Sequence, residues 1–220
     1  MLDINRFLEY QQNKSKYSQL GQDLFVLFIL GEKTNGYFVE FGATDGIEKS
    51  NTFLLEKEYS WSGILCEPAK QYHESLLANR SCRKDFRCVS SSTGQNLSFR
   101  DCKFGELSCI DSYTNNDFWA WNRVDAKIYD VESVSLNDLL SQYNAPQTID
   151  YVSIDTEGSE FDILNSFNFS YDILTMSVEH NHTENKSKII QLLEQNNFIN
   201  VFPEITDFDS WFVNKNVYNQ

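Results

Sequence analysis

The chain has 220 residues, 41% hydrophobic and 15% aromatic, which is enough apolar material for a folded core and too much for a disordered chain. A formal net charge of −14 argues against nucleic acid and anionic membrane surfaces as main partners. No apolar run approaches a membrane span, so no membrane insertion is expected; the N-terminus has no basic stretch leading into an apolar one, so the expected compartment is cytoplasmic.

Residues 1–35 read as an N-terminal helical segment packing on a main domain over 36–220. Within it, 19–30 reads as a helix with apolar Leu20, Leu24, Phe25, Leu27, Phe28 and Leu30. Strand-forming Tyr37, Phe38, Val39 and Phe41 follow, with Glu40 among them, and run directly into Gly42, Ala43, Thr44, Asp45 and Gly46. A buried parallel strand breaking into a glycine turn is how an open α/β sheet admits a nucleotide-like ligand. Glycine is wanted there because a side chain would block close backbone approach. The spacing lacks the middle glycine of the G-x-G-x-x-G dinucleotide fingerprint.

A helix over 51–59 comes next, capped by Ser50 or Asn51. Ile64, Leu65 and Cys66 form a second strand ending at Glu67, where an acid can accept both hydroxyl protons of a ribose. Pro68 suits the first turn of a following helix, 72–79. A third strand is expected over 86–90 and another over 97–100. The insert 104–130 is rich in aromatic and polar residues without a period, and loops of that length are usually functional. Strand 131–136, helix 137–143, strand 149–154, helix 160–167, strand 174–178 and helix 186–196 follow, then a hairpin of 198–202 with 210–213. This alternation argues for a parallel sheet with helices on both faces.

The five cysteines show no C-x-x-C spacing, so neither zinc nor a disulfide framework is expected. Arg80, Arg83, Lys84 and Arg87 form a basic cluster that reads as a solvated rim.

The segments FVEFGATDG, SNTFLLE, GILCEP, SIDTEGSEFDIL and SVEHN, preceded by SQLGQD, together resemble the FkbM-type methyltransferases over roughly residues 17–213. The resemblance implies an α/β chain of the class I methyltransferase (Rossmann-like) fold. Its sheet would be seven-stranded and mostly parallel, with helices on both faces and a final antiparallel strand inserted. It implies S-adenosylmethionine as methyl donor and a hydroxyl as acceptor, on a sugar of a polysaccharide or glycolipid or on a secondary metabolite. The acceptor is thus a small molecule or glycan.

Around the donor the readings gather Glu40, Gly42, Ala43, Asp45, Gly46, Asn51, Glu67, Pro68, Ser90 and Asp155, with Gln19, Gln22 and Asp23 of the opening motif able to cap the pocket. For catalysis they gather Asp155 and Glu157, just past one strand, and His180, at the end of the next. Asp155 and Glu179, with His180 or Asn181, could also hold Mg²⁺ or Mn²⁺. Strand alternation points Glu179 and His180 opposite ways. Trp119 and Trp121, with His182, are candidates for the acceptor, and an extended segment would put both tryptophans on one side. Two other functions compete: a nucleotide-dependent oxidoreductase, and a non-catalytic module binding cofactor or glycan.

Overall fold

The structure, a computed structural model, describes residues 2–114 and 118–218. Helices α1 (Ile4–Gln12) and α2 (Gln22–Ile29) precede strand β1 (Tyr37–Phe41). Then come α3 (Phe53–Tyr59), β2 (Ser62–Cys66), α4 (His73–Asn79), β3 (Arg83–Asp85) and β4 (Cys88–Ser90). Strands β5 (Asn96–Cys102), β6 (Cys109–Ile110) and β7 (Ala126–Ser135) follow, then α5 (Leu136–Gln142), β8 (Thr148–Ile154) and α6 (Glu160–Ser166). The chain closes with β9 (Asp172–Glu179), α7 (Asn185–Gln195), β10 (Phe198–Val201), β11 (Asp209–Asn214) and α8 (Lys215–Tyr218).

The main sheet has seven strands in the order β3-β2-β1-β8-β9-β11-β10. It is parallel except for β11, which lies antiparallel between β9 and β10. This is the class I methyltransferase arrangement, with its inserted reversed strand. The central strands are apolar on both faces because both faces are covered. Val39, Phe41, Ile64 and Val152 face α5, α6 and α7, through Leu139, Ile163 and Ile189. Their alternating neighbours Phe38, Leu65 and Tyr151 face α1 to α4, through Phe7, Phe25, Leu55 and Leu76. From β1 the chain winds outward through β2 and β3, then returns to β8 on the other side of β1 and winds the other way. The β1/β8 boundary is therefore the topological switch point, where such sheets open a crevice.

Three expectations need correction. The third strand of the sheet is Arg83–Asp85, not 86–90, because Asp85 ends it: its carboxylate accepts from the backbone N–H of Arg87 (2.9 Å) and pairs with the Arg87 guanidinium. The chain then leaves the sheet, and Cys88–Ser90 pairs parallel with β7 in a second sheet ordered β4-β7-β5-β6. The insert is less irregular than its sequence, since β7 begins at Ala126 and pairs antiparallel along the whole of β5; its residues 115–117 lie outside the described residues. Finally, Arg80 is no solvated rim. It is buried between Glu40 and Glu56. Among the described residues no helix is long and apolar enough to cross a membrane.

Candidate active site

The glycine turn is built against the protein itself. Gly42 sits at φ +74°, and a Cβ there would lie 2.2 Å from the carbonyl oxygen of Asp155 at the end of β8. At Gly46 (φ +83°) it would strike Arg80 and Leu76. Both glycines thus serve close approach between chain segments, and Gly42 also lines the cleft. Ala43 is buried in the core, and Asp45 accepts from the backbone N–H groups of Ile47 (2.8 Å) and Glu48 (2.9 Å). Ala43, Asp45 and Gly46 shape the turn and do not line the cleft.

Glu40 braces the next loop. Its carboxylate accepts from Asn51 N–H (2.7 Å), Thr52 Oγ1 (2.5 Å) and Ser50 Oγ (3.1 Å), with Arg80 3.7 Å away. Burial pushes its carboxyl upward, and Arg80 and these bonds pull it back.

A first cleft opens beyond the turn, lined by Gly42, Thr44, Asn51, Glu67, Pro68 and Val89 among others. One Glu67 oxygen accepts from Thr44 N–H (2.7 Å) and the other from Ala69 N–H (2.8 Å). Each carboxylate oxygen keeps a lone pair beyond those bonds, enough for a vicinal diol. Burial raises Glu67 to about 7. Asn51 donates to Ser153 Oγ (2.8 Å), while its buried Oδ1 has no partner among the described residues. An unsatisfied buried acceptor in a cleft wall is free to take a donor from water or from a ligand. A nucleoside bearing an amino group, S-adenosylmethionine included, fits both features. Ser90 does not line this cleft; Cys88 and Val89, just before it, do.

A second cleft, of about 340 Å³, adjoins the first. Asp155 lines both clefts, as does Glu157, and Glu179, Asn181, Trp119 and Phe208 line the second. The Asp155 and Glu179 carboxylates lie within 4.8 Å of each other, and like charges so close disfavour ionisation of both. Loss of water and the neighbouring carboxylates raise Asp155 to about 8 and push Glu179 well up. Asn181 donates to Glu179 (2.8 Å) and Glu157 (3.3 Å), and the fully buried Arg123 pairs with Glu157 at 2.5 Å. Asp155, Glu157 and Glu179 offer ligand atoms within 4.8 Å of one another, an all-oxygen set suited to a hard divalent ion.

The histidines stand apart. His180 is buried on the opposite side of the strand end from Glu179 and lines neither cleft. Its Nδ1 accepts from His182 N–H (3.2 Å), and burial lowers it to about 4. His182 is exposed and pairs with Asp207 (3.1 Å). Trp119 lines the second cleft, but Trp121 is exposed and lines neither. Residues Phe118–Arg123 form a 3-10 turn, not an extended segment, so side chains two apart diverge. Gln19 lines both clefts; Gln22 and Asp23 lie beneath it, buried and bonded within the protein. Sequence reasoning missed Arg123 and Lys49. Arg123 sits in a stretch without a period, and Lys49 in a loop whose course only the fold reveals.

The family model of the methyltransferase FkbM domain matches residues 40–208, from the glycine turn to the wall of the second cleft. No curated protein sequence matches the chain. Among solved structures, a Pyrococcus horikoshii protein provisionally described as an RNA methyltransferase is similar at 9% identity and a TM-score of 0.41, over 97% of this chain and 98% of that one. That likeness carries no weight beside the family match, which extends over most of the chain and includes the glycine turn and the strand-end acids Glu67, Asp155 and Glu179. The chain belongs to the FkbM methyltransferase family.

Proposed function

We propose that this chain transfers the methyl group of S-adenosylmethionine to a hydroxyl of a small-molecule or glycan acceptor. The observation that carries the reading is the meeting of the two clefts at one wall of carboxylates. The first cleft suits a ribose and an amino group, and the second is an aromatic and acidic chamber. When bound, the donor supplies a sulfonium methyl already activated for displacement. The protein's part is alignment and proton removal. Glu67 grips the ribose hydroxyls and Asn51 Oδ1 takes the amine. Holding the reactants in line is worth roughly 7–11 kcal/mol of barrier. The ionised member of the Asp155–Glu179 pair takes the acceptor's proton, and its raised affinity for protons makes it the stronger base. Glu157, anchored by Arg123, orients Asn181 beside that pair. His180, buried and lining neither cleft, has no part in this reading.

Trp119 offers a face for the apolar side of a sugar ring, as carbohydrate acceptors require. A second use of the carboxylates is favoured by their mutual spacing: a Mg²⁺ or Mn²⁺ ion on Asp155, Glu157 and Glu179 would orient the acceptor oxygen. The experiment is radiolabelled methyl transfer to a panel of sugars, glycans and polyols, run with and without chelator. Transfer to a hydroxyl supports the reading, and chelator-resistant transfer removes the metal from it. Donor binding with no transfer to any member would favour a non-catalytic module. Binding of NADH in place of the methyl donor would favour an oxidoreductase.

A further inference from the structure

Five residues line both clefts: Gln19, Lys49, Glu106, Asp155 and Glu157. Three of them are acids. Among the described residues lining either cleft, Lys49 is the one Lys or Arg. Its Nζ lies 3.1 Å from Glu106, across the cleft mouth on the inserted segment, and the two side chains are 39% and 42% exposed. An ion pair so exposed is weak and readily gives way to a better-placed anion. Lys49 also holds a left-handed backbone, φ +61°, which lysine seldom adopts.

A single β-bridge joins Lys49 to Ser18, and so sets Gln19 beside it. The segment carrying Gln19 is firmly built. Asp23 accepts from Tyr17 N–H (2.8 Å) and Ser18 Oγ (2.5 Å), and Ser18 Oγ accepts from Gly21 N–H (3.1 Å). Gln22 accepts from Leu20 N–H (2.9 Å) and donates to Asp209 (2.8 Å). These polar groups all serve the shape of the segment. Gln19, an exposed residue at the junction of the clefts, keeps its carboxamide outside these bonds.

We propose that Lys49 and Gln19 form the seat of the α-carboxylate of the bound methyl donor, an inference that rests on the donor reading above. The donor's ribose has Glu67 and its amine has Asn51 Oδ1. Its carboxylate needs a cation and N–H donors, and the carboxylates around the junction repel it. Lys49 leaves Glu106 for this ligand, and Gln19 adds a neutral N–H. Gln19 precedes residue 40, where the family match begins, so the donor site extends into the N-terminal segment.

The test is calorimetric titration with S-adenosylhomocysteine and with 5′-methylthioadenosine, which keeps the nucleoside and lacks the amino-acid groups. Lys49→Ala is expected to weaken S-adenosylhomocysteine about 10- to 100-fold, as loss of a bond to a charged group does, and Gln19→Ala about 3- to 10-fold. Neither change should alter 5′-methylthioadenosine affinity, which also reports that the variants are folded. Glu106→Gln should leave S-adenosylhomocysteine binding equal or tighter. Equal losses for both ligands, unchanged S-adenosylhomocysteine affinity, or a loss in Glu106→Gln as large as in Lys49→Ala would each overturn the proposal. Failure of the unmodified chain to bind either nucleoside would overturn the donor reading itself, and this proposal with it.

Discussion

Two clusters of buried acid flank the switch point of the sheet, and they are built to opposite ends. At the end of β1, Glu40 and Glu56 enclose Arg80, which spends its guanidinium on them and on Gly46 O, Ser50 Oγ and Thr52 Oγ1. At the ends of β8 and β9, Asp155, Glu157 and Glu179 crowd together, and among the described residues the Arg123 guanidinium pairs with Glu157. The first cluster is tied together by Arg80 and braces a loop, with Glu40 in the wall of the first cleft. The second is left short of positive charge and opens into two clefts. A buried acid whose bonds are complete is scaffold. One pushed far up in pKa, in a cleft, is a candidate for chemistry.

Removing charge from each cluster should separate the two roles. Glu179→Gln is expected to lower turnover by ~10²- to 10⁴-fold, the usual worth of a general base, while the fold and the affinity for S-adenosylhomocysteine persist. Steady-state rates on an acceptor from the hydroxyl panel, with calorimetric binding beside them, check this. Glu40→Gln should do the reverse. It strips a buried arginine of a counter-charge and should cost about 3–5 kcal/mol of stability, read from denaturant unfolding. A stable Glu40→Gln protein with full donor affinity would erase the contrast.

Smaller effects sharpen it. Asp155 rises to about 8, and Glu67 and Asp209 to about 7, far above ordinary carboxyl values. The native state therefore holds more protons than the unfolded chain across this range, so these groups stabilise the fold at low pH and the benefit is lost as pH rises through their native values. The melting temperature should fall between pH 6.5 and 8. Asp155→Asn should flatten that slope, and an unchanged slope would count against the raised affinity of Asp155 for protons. His180, lowered to about 4, is neutral throughout this window. The smallest expected effect is on turnover in His180→Asn, which should stay near the unmodified rate; a collapse with donor affinity intact would return the base role to the histidine.

Much of this was legible in the residues. The apolar runs of β1, β2, β8 and β9 announce strands buried on both faces, and their ends announce Glu67, Asp155 and Glu179. Strand alternation separates Glu179 from His180, and His180 lies buried away from both clefts while His182 is exposed. Other features depend on partners distant in sequence. Arg80 looks like a surface cation until Glu40, 40 positions earlier, is seen to need it. The second sheet follows from Asp85 turning the chain, a local ion pair that composition does not reveal. Trp121 diverges from Trp119 because the segment coils rather than extends, which the residues alone do not announce.

If Glu67 clasps the ribose of a methyl donor in the first cleft, calorimetric titration with S-adenosylhomocysteine will show one molecule bound per chain, weakened about 10- to 100-fold in Glu67→Gln as bonds to a charged group are lost. Absent binding, or binding indifferent to that change, would contradict it.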